Sequence, residues 1–375
     1  MLGVVGDTGM NSELSAEAEE VLQASAERTA VTGRPDPEAL AVLRSSGLLA
    51  TAVPARYGGR GGGAVEVNRV VLRLAEANPS LAIIAFQHFA VCARIAEWGT
   101  QRQRRSLLPR LADGSWLAAS AWSEPGAGAA KRNLTSTAVR RSDGMWVLEG
   151  AKSFTTGASV ADLYLVLVGT GEPQAGDTAL YGSSGQSFFL VRGTNPGLAP
   201  DLSLDLVGMR GSATGFVSLR KCLVTDDDRL GPPGRAPEII AGVRDSGATL
   251  GAVAAGIARA ALAMAREHRA RWGPAATPPG AHRIADLATR VESIEAIVER
   301  AGARSSAQPG LTTLHSKVYA SEAAEQVCVD VARMLGSSGY MAAARVNRLL
   351  ADARAVALMG PANELCRDLV AAAWA

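Results

Sequence analysis

The hydrophobic period changes twice along this chain of 375 residues, and those two changes constrain its fold more than any single motif. From Ser12 to about Gly114 apolar residues recur at helical spacing; between Trp116 and about Asp228 they alternate or form short runs; from Glu238 onward helical spacing returns. Spacings of three and four line up one face of a helix, whereas alternation lines up one face of a strand. The reading is therefore mainly α with a central β domain: an N-terminal helical domain over 1–115, a middle β domain over 116–230 and a C-terminal helical bundle over 236–375.

Local signals fill this frame. Helices are predicted over 15–30, from Pro37 to Ser46, over 64–77, 80–97 and 101–111, then as one long helix from Glu238 to Trp272, and again over 284–304 and 314–335. A short last helix is expected near Pro361, with Glu364 suited to its first turn. LTSTAVRR, MWVLEG, KSFTTG, LYLVLVG, SFFLVRG and GFVSLRKCLV read as strands between Gly, Asp and Pro turns. Their spacing suggests a barrel or sandwich of antiparallel strands.

Charge and cysteine usage narrow the function. The 38 basic and 36 acidic residues nearly cancel and interleave, which gives no basic stripe for nucleic acid. Arginine far outnumbers lysine, and most arginines read as solvated helix faces. Cys92, Cys222, Cys328 and Cys366 form no CxxC pair, so neither a zinc site nor a disulfide framework is expected and a reducing cytoplasmic location fits. The first residues have no basic n-region, and no apolar run is read as reaching the roughly 20 residues that a bilayer span needs. A soluble protein with no membrane partner is expected.

Several motifs favour an unremarkable reading. YGGRGGGA holds Gly59-x-Gly61-x-x-Ala64 with Glu76 downstream, but no strand precedes it, so a plain glycine loop is preferred to a dinucleotide site. His88, His268, His282 and His315 lack metal-ligand spacing, and no metal is expected. His88 sits in an apolar helix, where core packing is favoured over a role facing an active site. SEPGAG, Ser123 to Gly128, is more informative: its glycines leave backbone amides open to a flat or anionic ligand.

Seven segments together resemble the acyl-CoA dehydrogenase superfamily. They are VPARYGG (53–59), GTQRQRRSLLPRLADG (99–114), SEPGAG (123–128), LEGAKSFTTGASVAD (148–162), GMRGSATG (208–215), GIARAAL (256–262) and MLGSSGY (334–340). The resemblance implies a helical N-terminal domain, a middle β-barrel and a C-terminal four-helix bundle, with FAD at their junction in a homotetramer. It further implies that Ala121, Trp122 and Ser123 meet the flavin edge, while Phe154, Thr155 and Thr156 cover its other face. Arg269 and Trp272 resemble a pair reaching the FAD of a neighbouring subunit. Gly336 and Ser337 resemble a glycine pair at the pyrophosphate, and Glu364 falls near the adenosine.

The sequence departs from that family where the base should be. The resemblance implies a carboxylate that removes the α-proton of an acyl thioester, and Gly360 stands at its usual position. An alternative position, on the first bundle helix, holds Ser246; adjacent Asp245 is rotated by about 100° on a helix. Asp245, Glu124 or a water held by Ser246 are the replacements considered. Pro361 and Ala362 replace the family's Gly-Thr, Ala129 and Ala130 its Ser-Asp, and Arg333 takes a Gln position. The Pro-rich turn 274–280 interrupts a segment that helps hold FAD, which predicts weaker retention of the cofactor.

Three functions follow. The first is a specialised dehydrogenase acting on an acyl thioester of CoA or a carrier protein, with an electron-transferring flavoprotein or oxygen as acceptor. The second is a flavin monooxygenase on the same fold, with a flavin reductase as partner; KSFTTG and RARWG resemble that branch. The third is a non-catalytic family member.

Overall fold

The computed structural model describes residues 14–271 and 278–374. Its N-terminal third is helical: α1 (Ala16–Thr32), α2 (Pro37–Ser45), α3 (Ala64–Ala77), α4 (Pro79–Trp98) and α5 (Gln101–Ala112). Caps explain the boundaries. The Ser15 hydroxyl accepts from the Ala18 amide at the start of α1, and Gly33 closes it at φ 64°. Asn78 ends α3 and caps α4, with Pro79 as that helix's first residue. YGGRGGGA is a tight loop without a preceding strand, in which a Cβ on Gly59 would stand 1.9 Å from the Val53 carbonyl oxygen. The plain glycine-loop reading is the one this geometry supports.

Eight strands follow: β1 (Ala118–Ala121), β2 (Thr137–Arg140), β3 (Trp146–Thr155), β4 (Leu163–Gly169), β5 (Gln186–Arg192), β6 (Leu198–Asp201), β7 (Gly215–Val224) and β8 (Arg229–Leu230). They form one sheet in the order β6-β7-β3-β2-β4-β5-β8, with β1 paired to β4. The expectation of antiparallel strands alone needs correction, because β1 and β2 both run parallel to β4. Neither pair is joined by a hairpin, and long connections allow parallel pairing. The central strand β4 is apolar on both faces because it separates two cores. Leu163, Leu165 and Leu167 pack toward α4 and α5, while Tyr164, Val166 and Val168 fill the interior of the sheet domain.

The last third holds α6 (Ala236–Asp245), α7 (Gly251–Ala270), α8 (Pro278–Ala303), α9 (Pro309–Met334), α10 (Arg345–Leu358) and α11 (Asn363–Ala371). Helices α7 to α10 make the bundle, and α3 lies along α7. Two corrections arise here. The single helix expected from Glu238 to Trp272 is two helices, because Gly247 adopts φ 88° and breaks the ladder. Helix α10 has no counterpart in the sequence reading, since arginines interrupt its apolar stripe. Trp272 and residues 274–277 of the Pro-rich turn lie outside the described residues.

Helix α4 has the length and composition of a membrane span, contrary to the expectation that no run reaches it. However, 78% of its most apolar window is buried inside the protein, where it serves as a core helix. His88 on that helix is fully buried: Nδ1 accepts from the Ala118 amide at 3.3 Å and Nε2 lies 3.3 Å from the Leu49 carbonyl. Burial pushes its pKa down to about 4, so it is a neutral core strut.

Buried Asp352 on α10 accepts from the Met209 amide and so ties the sheet domain to the bundle. Burial raises its pKa from 3.8 to about 6, against the pull of the Met209 amide and Arg348. The native state therefore binds this proton more tightly than the unfolded chain, and stability falls as pH rises from about 4 through 6. Asp352→Asn keeps an acceptor for Met209 and removes the buried charge. Urea melts are expected to show a gain on the order of 1–2 kcal/mol at pH 8 and none at pH 4. An equal effect at both pH values would refute this account.

Candidate active site

The site is assembled on two loops. SEPGAG follows β1, and KSFTTG closes β3; the Ser153 amide donates to the Ser123 carbonyl at 2.9 Å and joins them. Behind this joint Glu124 is buried and satisfied. Lys152 Nζ donates to it at 2.6 Å, as do the amide and hydroxyl of Thr135, at 2.6 and 2.8 Å, and the hydroxyl of Ser136. Burial pushes the Glu124 carboxyl up, but the Lys152 charge and these hydrogen bonds outweigh it and hold the pKa below the usual value. Glu124 is thus a tether, with no lone pair aimed at a substrate.

At the end of β3 the pairing with β7 slips between Lys152 and Thr155, and Phe154 takes φ 51°. A bulge re-aims a side chain, and here Phe154 turns outward with 65% of its surface exposed. Left-handed backbone at a bulky residue costs on the order of 1–2 kcal/mol. The strand ladder on one side and the bonds of Gly157 and Ala158 to 212–213 on the other enforce it. Thr156 meets the Thr214 hydroxyl at 3.1 Å.

An apolar cavity of about 630 Å³ opens beside these loops. Its wall includes Phe86 of α4, Trp122 after β1, Tyr181, Thr249, Lys317 of α9 and Gly360 before α11. Trp122 packs on Phe188 with ring centroids 5.1 Å apart. Lys317 Nζ donates to the Ala357 carbonyl at 3.0 Å and to Asn363 Oδ1 at 2.8 Å, which fastens α9 to α11.

The residues expected at the base position separate. Gly360 lies on the cavity wall. Ser246 lies in an adjoining smaller cavity of about 270 Å³, and its hydroxyl donates to the Val243 carbonyl at 2.8 Å as the cap of α6. Asp245 is about half exposed and accepts from Arg244 Nε at 2.9 Å. Among the other expected positions, Ala121, Trp122, Ser123, Phe154, Thr155 and Thr156 come together at the loop pair. Arg269 sits in the last turn of α7, Gly336 and Ser337 in the turn after α9, and Glu364 in the first turn of α11, paired with Arg367. None of these four lines the cavity of this chain.

The family models "Acyl-CoA dehydrogenase, N-terminal domain", "middle domain" and "C-terminal domain" match residues 10–115, 119–222 and 244–375. The cyclohexane-1-carbonyl-CoA dehydrogenase of Geobacter metallireducens is 31% identical over 384 aligned residues, covering 96% of this chain and 97% of the relative. The chain belongs to the acyl-CoA dehydrogenase family. Another relative is the L-prolyl-[peptidyl-carrier protein] dehydrogenase of Pseudomonas fluorescens, 30% identical with 88% of each chain covered. The structure of butyryl-CoA dehydrogenase from Megasphaera elsdenii shares the fold, with a TM-score of 0.83, 24% identity, and 97% and 100% of the two chains covered.

As a member of this family the chain is an FAD-dependent oxidoreductase, and the loop pair fits a flat, polar-edged cofactor. The Trp122 indole nitrogen and the Thr155 hydroxyl are buried and have no hydrogen-bond partner among the described residues. A ligand with acceptors can supply what such groups lack. Gly126 and Gly128, at φ 79° and 72°, have nothing within 4 Å of where a Cβ would stand, so backbone is open to close approach.

Sequence reasoning missed Tyr181 and Lys317 on the cavity wall, and Lys131, whose amine stands just behind Gly360 and Tyr181. A signal was present: the chain has only four lysines, Lys131, Lys152, Lys221 and Lys317, and three of them are buried. In a chain whose surface cations are nearly all arginines, a buried lysine marks a place where the ammonium's compact shape and adjustable charge matter.

Proposed function

We propose that the chain oxidises the acyl group of a thioester carried on CoA or on a carrier protein. The observation that carries this reading is the apolar cavity of about 630 Å³ that runs from Trp122, beside the flavin loops, to Gly360. Its apolar wall suits a small acyl chain, and its few polar groups can orient a thioester. The relatives act on a cyclohexane-carbonyl thioester of CoA and on a carrier-bound prolyl group by their names, which supports both the reaction and the compact acyl group.

FAD, when bound, supplies the two-electron acceptor. The chain's own residues position both partners. Trp122 and Thr155 offer donors toward the cofactor's edge, Phe154 screens it, and Phe86, Tyr181 and α6 exclude water from the acyl group. We take the working protein to be a cytoplasmic homo-oligomer built from three domains, 1–115, 116–230 and 236–375. Exposed Tyr340 and Met341 at the turn after α9 and Leu358 at the end of α10 support association, as does the placement of Arg269 away from this chain's own cavity. An electron-transferring flavoprotein is the acceptor we favour.

The test is anaerobic spectroscopy of the FAD-reconstituted protein with a panel of saturated acyl-CoAs and carrier-loaded acyl groups. Loss of the oxidised flavin band with one or more of them is the expected result. If none bleaches the flavin, while chemically reduced flavin and oxygen hydroxylate an added substrate, the monooxygenase reading replaces this one.

A further inference from the structure

Three of the four lysines are buried, and two of those have clear partners. Lys152 is paired with Glu124, and Lys317 is held by two acceptors. Lys131 is different. It follows the SEPGAG loop at φ 52° and is only 5% exposed. Among the described residues its Nζ makes one long hydrogen bond, 3.4 Å to the Ala129 carbonyl, and its partners include no carboxylate.

Its position gives this isolation a meaning. A Cβ built on Gly360 would stand 3.4 Å from Lys131 Nζ and 3.7 Å from the Tyr181 hydroxyl. Gly360 and Tyr181 both form the cavity wall. A side chain at 360 would stand against the amine; glycine leaves the space between the amine and the cavity less obstructed. The position where a carboxylate is missing is the one beside which the lysine amine stands, behind the wall formed by Gly360 and Tyr181.

We propose that Lys131 is the catalytic base, its neutral amine taking the proton from the carbon α to the thioester carbonyl. The inference rests on the thioester reading above. In this step the α C–H bond breaks and its proton goes to Nζ. The electron pair left behind forms the new C=C bond as a hydride leaves the β carbon for the two-electron acceptor. The environment favours an amine that is neutral before the step. Burial pushes the Lys131 pKa down to about 8, with the nearby Lys152 charge adding to the effect. The groups around it are Lys152 with its partner Glu124, the ring of Tyr181 with Nζ 5.2 Å from its centroid, and, beyond Tyr181, Cys366 and Lys317. Burial, and then Cys366, push the Tyr181 phenol up, so it stays protonated and can donate to the substrate. Among the described residues, the cations on the cavity wall are engaged: Lys317 spends its hydrogen bonds on α10 and α11, and Arg244 pairs with Asp245.

The test has two parts, both on the FAD-reconstituted protein. Brief acetylation with acetic anhydride, mapped by peptide mass spectrometry, should label Lys131 with a reactivity rising through about pH 8. A saturated acyl-CoA should protect it, whereas exposed Lys221 should label equally with and without the thioester. In anaerobic single turnovers, Lys131→Met should slow flavin bleaching by about 10²–10⁴-fold with thioester affinity nearly unchanged. The double variant Lys131→Met/Gly360→Glu should regain at least tenfold and shift the rising limb of its pH profile into the carboxylate range. Bleaching by Lys131→Met within threefold of the parent, or labelling of Lys131 that the thioester does not change, would overturn the assignment. Those results leave the thioester reading intact; failure of the parent protein to bleach with any thioester would overturn that reading instead.

Discussion

Glu124→Ala is expected to destabilise the protein by about 3–5 kcal/mol, because it leaves Lys152 buried with a hydroxyl as its remaining contact. Both side chains of the pair are inaccessible, and their 2.6 Å contact is the centre of the network behind the flavin loops. After the substitution Lys152 Nζ keeps the Ser136 hydroxyl at 2.7 Å, while the amides and hydroxyls of Thr135 and Ser136 lose their acceptor. Lys152→Met should cost less, since Glu124 then keeps its donors on Thr135 and Ser136. Replacing both, as Glu124→Leu/Lys152→Met, should recover part of the loss, since no unpaired charge remains. Urea melts of the three variants check this order. If the double variant is as unstable as the sum of the singles, the pair is not acting through its charges. Loosening the tether also frees SEPGAG, so FAD retention should fall in step with stability.

The second large effect is expected at Gly256 on α7. A Cβ there would lie 2.3 Å from the Leu72 carbonyl oxygen, 2.7 Å from the Ala75 Cβ and 2.8 Å from the Glu76 amide nitrogen, all on α3. Two of these are backbone atoms of a packed helix and cannot swing aside. Gly256→Leu should therefore cost about 3 kcal/mol, the upper part of the range for overpacking, even after the gain in helix propensity. Thermal melting read by circular dichroism measures it. A variant that melts within a degree of the parent would mean that α3 and α7 are not held at this distance in solution.

The sequence carried the architecture because its periods are long-range averages, and averages survive local irregularity. The helix–strand–helix division, the caps of α1 and α4 and the loop pair at SEPGAG and KSFTTG were all legible. What was hidden depends on single backbone angles or on contacts between distant segments. One glycine, Gly247, divides the helix that Ala-rich periodicity draws as continuous. A one-residue slip in β3 turns Phe154 outward, and alternation alone assigns it no such exposure. The rarity of lysine singles out Lys131 without giving it a role; only the fold brings residue 360 and Tyr181 to its amine. Arg269, Gly336, Ser337 and Glu364 are named by resemblance alone, since a single chain does not gather them.

The break at Gly247 has a consequence for how this scaffold can change over time. Residues of α6 face the acyl cavity, whereas α7 carries the close seam with α3, and the two are separate helices joined at Gly247. On an unbroken helix, a bulkier or smaller residue facing the acyl group would transmit its shift along the axis into that seam. With the joint in place, α6 can be resized or tilted while the bundle keeps its register. Diversification of acyl preference and conservation of the bundle are thereby uncoupled, and α6 is where closely related chains with different acyl groups should differ most.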